Sequence, residues 1–146
     1  MIIRIMNIGD YDRVYALWMS CRGMGLNDAD DSREGIERYL NRNPDTCFVA
    51  EEEGEILGVI LAGHDGRRGY IYHTAVHPGH RRRGIGAGLV ESVMEALKQK
   101  GISKVALVAF AGNEAGNAFW ERMGFTERTD LTYRNRALRE LTRRDT

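Results

Sequence analysis

Val76-His77-Pro78-Gly79-His80-Arg81-Arg82-Arg83-Gly84-Ile85-Gly86-Ala87-Gly88 is the stretch on which the reading of this chain turns. Before it, Tyr70 to Val76 is an apolar and β-branched run of strand character. After it, Ile85, Leu89, Val90, Val93, Met94 and Leu97 recur at helical spacing up to Lys100-Gly101, a basic last turn followed by a glycine stop. A strand therefore passes through a glycine-bearing loop into the longest helix of the chain. The first N–H groups of a helix lack internal partners and lie at the positive end of its dipole, so this loop favours a phosphate or pyrophosphate. Arg81, Arg82 and Arg83 add charge around it, and Gly84, Gly86 and Gly88 remove side chains where backbone must come close.

Working outward, Met1 to Ile5 is a short strand, and Gly9-Asp10 caps a helix whose buried face is Val14, Leu17 and Trp18 and which runs to about Cys21. Gly23 to Asp31 is a polar loop, and Ser32 restarts a helix through Tyr39 that Asn43-Pro44 stops. Cys47–Glu51, Glu55–Ala62 and Tyr70–Val76 form an antiparallel meander. Beyond the long helix, Lys104 to Phe110 has the continuous apolar character of a strand buried on both faces, which makes the connection a parallel crossover. A helix from Glu114 to Met123 follows. Thr126–Thr132 and Tyr133–Leu138 read as a last hairpin, and Arg139–Thr146 as a frayed end. The class is α/β, mixed α+β, with residues 1–146 as one domain.

Composition agrees with that reading. A chain of 146 residues with 42% hydrophobic and 29% charged residues and two prolines is globular rather than disordered or fibrous. At this size it buries about 68–70% of its unfolded surface, so it needs no disulfide or metal to hold a core. Cys21 and Cys47 then read as reduced core thiols, which suits the cytoplasm. No apolar run has secretory or membrane-spanning length. Lys plus Arg, 21, balances Asp plus Glu, 21, which argues against nucleic acid and against an anionic membrane as partners.

Two familiar phosphate loops fail here. No Gly-Lys-Ser/Thr ends the glycine loop, and Gly84-x-Gly86-x-Gly88 after a meander is not a dinucleotide fingerprint on a first strand. What fits is Arg-x-x-Gly-x-Gly/Ala, as Arg81-Arg82-Arg83-Gly84-Ile85-Gly86-Ala87. Downstream, Asn113-Glu114-Ala115-Gly116-Asn117-Ala118-Phe119-Trp120-Glu121-Arg122-Met123-Gly124-Phe125 resembles a second motif of the same origin. In these two motifs and in the order of its elements from Ile2 to Leu138, the chain resembles the GCN5-related N-acetyltransferase (GNAT) superfamily. The resemblance implies a mixed, mostly antiparallel sheet of six to seven strands with about four helices, splayed between the fourth and fifth strands. It implies that the pantetheine of acetyl-CoA pairs with Thr74, Ala75 and Val76 and that the pyrophosphate lies on the loop from Arg81 to Ala87, Ile85 included. Asn113, Asn117 and Trp120 complete the implied cofactor-binding set.

Such a site attacks the thioester directly with an amine, which calls for a base, an oxyanion donor and an acid for the leaving thiolate. The chain departs from the family pattern here: Val108 stands where some members carry a glutamate, and Trp120 where many carry a tyrosine acid. Indole N–H is a donor but no acid. Replacement candidates are Tyr72, His73 and Tyr133. Period two puts Tyr72 and His73 on opposite faces, and nothing near His73 in sequence is acidic, so His73 also reads as a paired sheet histidine. His73, His77 and His80 mimic metal spacing, but four extended residues separate the first two by ~13 Å, so no metal is expected. Asp28, Asp30 and Asp31 would steer a cationic acceptor. The implied activity is acetyl transfer from acetyl-CoA to a primary amine of a small molecule, peptide N-terminus or lysine, by a monomer or homodimer. The alternative is a non-catalytic acyl-CoA-binding regulatory module.

Overall fold

Residues 48–76 build the sheet because their apolar positions demand cover on both sides. In the computed structural model, which describes residues 1–144, the elements in chain order are β1 (Ile2–Ile5), α1 (Tyr11–Met19), β2 (Leu26–Asn27), α2 (Arg33–Arg42), β3 (Phe48–Glu52), β4 (Glu55–His64), β5 (Gly69–Val76), α3 (Ile85–Gln99), β6 (Val105–Ala106), α4 (Glu114–Arg122) and β7 (Arg143–Arg144). The main sheet has the order β1-β3-β4-β5-β6. Its pairs are antiparallel except β5 with β6, which is the expected parallel crossover through α3.

One face of the sheet packs Val49, Val59, Leu61 and Ala75 under Val14, Leu17 and Trp18 of α1 and Ile36 and Leu40 of α2. On the other face Leu57, Ile60, Ala62 and Ile71 meet Ile85, Leu89, Val90, Val93 and Leu97 of α3. Each buried aliphatic side chain contributes about 1.5–3 kcal/mol by leaving water. Two helices start at capping side chains, whereas Asp10, expected to cap α1, makes no cap hydrogen bond there and instead closes a capping box with Asn7. Ser32 Oγ accepts the Gly35 N–H at 3.0 Å and starts α2, and Asn113 Oδ1 accepts the Gly116 N–H at 3.0 Å and starts α4. At the β1 edge, buried Asp10 accepts from Arg4 at 2.7 Å and from Arg13 at 2.8 Å.

The C-terminal third departs from expectation. Lys104–Phe110 is not a strand buried on both faces: only Val105 and Ala106 pair, with Gly69 and Tyr70, while Val108 and Phe110 are 56% and 51% exposed. Among the described residues no strand lies on its outer side, and α4 buries no residue fully. The last hairpin is absent as well. Residues 126–142 contain no paired strand and are exposed, because their apolar positions are too few, and too interrupted by Glu127, Arg128, Asp130, Arg134 and Arg136, to give either face of a hairpin a core side. The main sheet therefore has five strands rather than six or seven. The remaining two strands form a separate ribbon, with Leu26 opposite Arg144 and Asn27 opposite Arg143. The chain end expected to fray is thus tied down at 143–144; residues 145–146 lie outside the described residues.

Candidate active site

The missing outer strand leaves an opening. β5 continues to Val76, but β6 pairs only with its first two residues, so beyond Tyr70 and Ala106 the two chains separate. The resemblance implies a splay between these two strands but places it after Val76 and Phe110, whereas here the pairing already ends at Tyr70 and Ala106. The Thr74-Ala75-Val76 backbone presents one edge of the opening, to which an extended ligand can add as a false strand. Across the sheet, Leu61 pairs with Tyr72 and Val59 with Ala75, so the single residue Ile60 faces both His73 and Thr74. His73 sits in this β-bulge with φ +24°, a conformation rarely adopted by a non-glycine residue. The bulge overturns the period-two expectation: Tyr72 and His73 share a face, with their rings 6.4 Å apart.

His73 also has the acidic partner that its sequence neighbourhood lacks. Its Nε2 lies 2.7 Å from Oδ1 of Asp31, a buried carboxylate on the loop before α2. Asp31 is held in turn: its Oδ2 accepts the Asn27 N–H at 2.8 Å, and its carbonyl accepts from the Tyr11 hydroxyl at 2.6 Å. The imidazole packs edge-on to Trp18 at 5.3 Å, and Trp18 Nε1–H donates to the His73 carbonyl at 3.4 Å. Nδ1 makes no hydrogen bond among the described residues. An imidazole oriented by a carboxylate through one nitrogen, with the other open, is built to take up a proton.

The three loop carboxylates have different partners, Asp30 Oδ2 accepting from Asn27 Nδ2 at 3.0 Å. Asp31 is committed to His73, and Asp28 Oδ1 accepts the Thr142 N–H at 2.8 Å. The tyrosines gather where the sequence reading places the candidates. Tyr70 and Tyr72 rings are 4.7 Å apart, and Tyr39 meets Tyr72 edge-on at 5.8 Å. Burial first, and then the neighbouring Tyr133 phenol, push the Tyr70 and Tyr72 hydroxyls above their ordinary pKa. They stay protonated at neutral pH and act as donors rather than bases.

At the start of α3, Gly84 takes the left-handed conformation with φ +78° and no side chain caps the helix, in contrast to α2 and α4. Gly88 N–H bonds back to the Gly84 carbonyl at 3.0 Å, and among the described residues the preceding amides of Ile85, Gly86 and Ala87 have no such backbone acceptor. The glycines at 86 and 88 also have a packing reason. A Cβ on Gly86 would meet the Phe119 ring at 3.1 Å, and one on Gly88 would meet Ile3 Cδ1 at 2.7 Å. They let α3 lie close to α4 and β1.

The arginines divide three ways. Arg81 folds back on the opening, its Nε donating to the Val76 carbonyl at 3.3 Å. Arg82 has φ +66° and is exposed, and Arg83 pairs with Glu52 at 2.8 Å and donates to His80 Nδ1 at 2.8 Å. Asn113 caps α4, and Asn117 Nδ2 donates to the Phe110 carbonyl at 3.0 Å, so both shape the loop that follows β6. Trp120 stacks edge-on with Phe119 at 5.0 Å and Phe125 at 5.3 Å. Arg143 of the terminal ribbon lies over the Phe110 ring at 5.2 Å. His77 Nδ1 accepts the Gly79 N–H, and among the described residues no three His, Cys, Asp or Glu side chains form a group able to hold a metal. Both cysteines are free and buried, and burial pushes the Cys47 thiol up to about 12.

Comparison with known proteins identifies the family to which this fold belongs. The profile of the Acetyltransferase (GNAT) family matches residues 11–125, and the chain belongs to that family of acyl-CoA-dependent N-acyltransferases. The rival expectation of a module without chemistry gives way to an enzyme. Acetyltransferase SG1711 of Sodalis glossinidius is 36% identical over 125 residues, covering 86% of this chain and 87% of that protein. Acetyltransferase plu1384 of Photorhabdus laumondii is 36% identical over 128 residues, 88% of each. Among solved structures, Ard1 from Thermoplasma volcanium has the same fold, with TM-score 0.76 and 20% identity over 86% of this chain and 82% of that one. The PaiA N-acetyltransferase from Thermoplasma acidophilum, in complex with coenzyme A, has TM-score 0.73 and 17% identity over 83% and 86%. No helix among the described residues is long and apolar enough to cross a membrane.

Proposed function

We propose that the protein transfers an acetyl group from acetyl-CoA to a primary amine, with His73 as the base and Asp31 as its positioning residue. The observation that carries this is the pairing of β5 with β6 stopping at Tyr70, which opens the edge of Thr74 to Val76 directly before the uncapped start of α3. Pantetheine adds to that edge, displacing the Arg81 side chain from the Val76 carbonyl. The pyrophosphate takes the free amides of Ile85 to Ala87, with Arg81 and Arg82 as its mobile countercharges. The amine lone pair then attacks the thioester carbonyl carbon; the C–N bond forms, the C–S bond breaks, and the nitrogen's proton passes to His73, directly or through one water. CoA leaves as thiolate, whose pKa near that of cysteine, about 8.5, makes departure feasible without a dedicated acid. The open Nδ1 next to a buried carboxylate favours this over mere CoA binding. Two buried free thiols suit work in the cytoplasm.

The test is calorimetric titration with acetyl-CoA, followed by thiol-release assays against a panel of primary amines. Binding with amine-dependent thiol release is expected, and binding without release for any amine would overturn the proposed primary-amine acceptor. In Asp31→Asn, kcat should fall about 10- to 100-fold, with the acidic limb of the pH–rate profile displaced and the KM for acetyl-CoA unchanged. A uniform loss at every pH would mean that Asp31 only holds the loop.

A further inference from the structure

Beside the base lies a surface that the transfer reaction itself does not use. The Tyr70 and Tyr72 rings sit 4.7 Å apart at a 45° tilt, and the Tyr39 edge at 5.8 Å fixes the Tyr72 ring from behind, yet Tyr72 remains 47% exposed. Phenol faces carry negative electrostatic potential and attract organic cations. Asp30, exposed on the loop before α2, takes a hydrogen bond from the neutral Asn27 Nδ2 at 3.0 Å and makes no ion pair among the described residues. Asp30 directly precedes Asp31, whose carboxylate holds His73 at 2.7 Å beside Tyr72, so its charge belongs to the same mouth, and it raises the Tyr72 phenol pKa after burial and Tyr133. The His73 ring is 6.4 Å from Tyr72. A group seated on the tyrosines and an amine delivered to His73 are therefore one short alkyl chain apart.

We propose that the acceptor carries a second positive group, an alkylammonium or guanidinium, seated against Tyr70 and Tyr72 with the Asp30 carboxylate as counter-charge. This rests on the N-acetyltransferase reading of the same cleft. A neutral or anionic tail would leave Asp30 uncompensated and gain nothing from the ring faces, whereas a cation gains from both. The second charge also selects which end of the acceptor reacts, because the tyrosines hold one end away from the thioester. The acceptor class is thus diamines and guanidino-amines rather than simple alkylamines.

The experiment is calorimetry of the full chain with putrescine and with n-butylamine, which share an alkyl chain and differ by one ammonium group, each with and without CoA. Putrescine should bind about tenfold or more tightly than butylamine, an advantage that shrinks as salt is raised. The ratio should drop toward one in Asp30→Asn and in Tyr72→Leu and survive in Tyr72→Phe, which keeps the ring face. Equal binding of the two amines by the wild type, or an advantage that persists in both Asp30→Asn and Tyr72→Leu, overturns the proposal. CoA titration in the same series separates the two readings: CoA binding without diamine preference removes only this inference, while failure to bind CoA removes the transfer reading beneath it.

Discussion

β4 and β6 belong to one sheet and have opposite surroundings. β4 is ten residues long with eight consecutive residues buried, flanked by β3 and β5 and covered by α1 on one face and α3 on the other. β6 is two residues long, neither of them buried, with no strand outside it. Full burial is concentrated in the meander and its two helix layers, whereas the segment beyond Ile102 packs only partly buried side chains, such as Val105, Leu107, Phe119 and Trp120, against the core. That division is what allows an opening between β5 and the segment after β6 without cost to the rest. The comparison is most sharply tested by truncations in the two places. Leu57→Ala, in β4, should destabilise by about 2–5 kcal/mol, while Val108→Ala, beyond β6, should stay within about 0.5 kcal/mol in denaturant melts. Similar losses at both sites would show that the C-terminal third is part of the cooperative core.

The two edges of the sheet give the next contrast. The β1 edge is sealed by charge: Arg4 bridges Asp10 and Glu51, Arg13 does the same, and Asp10 also accepts the Asn7 N–H at 2.9 Å. Burial alone would raise the Asp10 pKa, but the Arg4 guanidinium, the Asn7 N–H and Arg13 outweigh it and hold the carboxyl below its ordinary value. A carboxyl depressed in the folded state stabilises above its unfolded pKa, and that stabilisation is lost as pH falls through the folded value. Asp10→Asn should therefore cost about 2–3 kcal/mol at neutral pH. The gap from wild type should close as pH drops below the ordinary carboxyl range, about 4. A gap independent of pH would mean that packing, not charge, seals this edge.

Between the edges, α3 distinguishes a glycine kept for packing from one kept for a ligand. Gly86→Val drives a branched side chain at the Phe119 ring, so a loss of about 1–3 kcal/mol is expected, with Phe119→Ala in the same chain restoring part of it. A folded Gly86→Val that loses CoA affinity without losing stability would return Gly86 to the phosphate role that its sequence pattern suggests.

The elements up to Gln99 were legible, apart from β2 inside the expected loop 23–31, because a local pattern fixes each: period two in the meander, helical spacing in α1 and α3, Ser32 as a cap. What the sequence could not carry was set by non-local choices. The bulge at His73 arises from a register shift against Ile60, and Asp31 reaches His73 from 42 residues upstream. An acid just before the Ser32 cap looks like many other loop carboxylates. The final hairpin was predicted from an alternation that has no apolar face to bury, and β7 from nothing at all, since Arg143-Arg144 pairs by backbone rather than by side-chain pattern.

The terminal ribbon should show the smallest effect and the most selective one. β2 and β7 share only two residue pairs, Asp28 and Thr142 exchange hydrogen bonds of 2.8 and 3.0 Å, and Arg143 rests on Phe110. Such exposed contacts stabilise little, so Asp28→Ala should cost about 0.5–1 kcal/mol. Yet the ribbon joins the loop carrying Asp30 and Asp31 to the segment lining the far side of the opening. Loosening it should raise the KM for the amine several-fold, because that loop is where we propose the acceptor is held, while the KM for acetyl-CoA, whose proposed contacts lie on β5 and α3, stays the same. Steady-state kinetics with each substrate varied in turn decides the matter. If both KM values rise together the ribbon braces the whole opening, and if neither moves it is only a tether for the chain end.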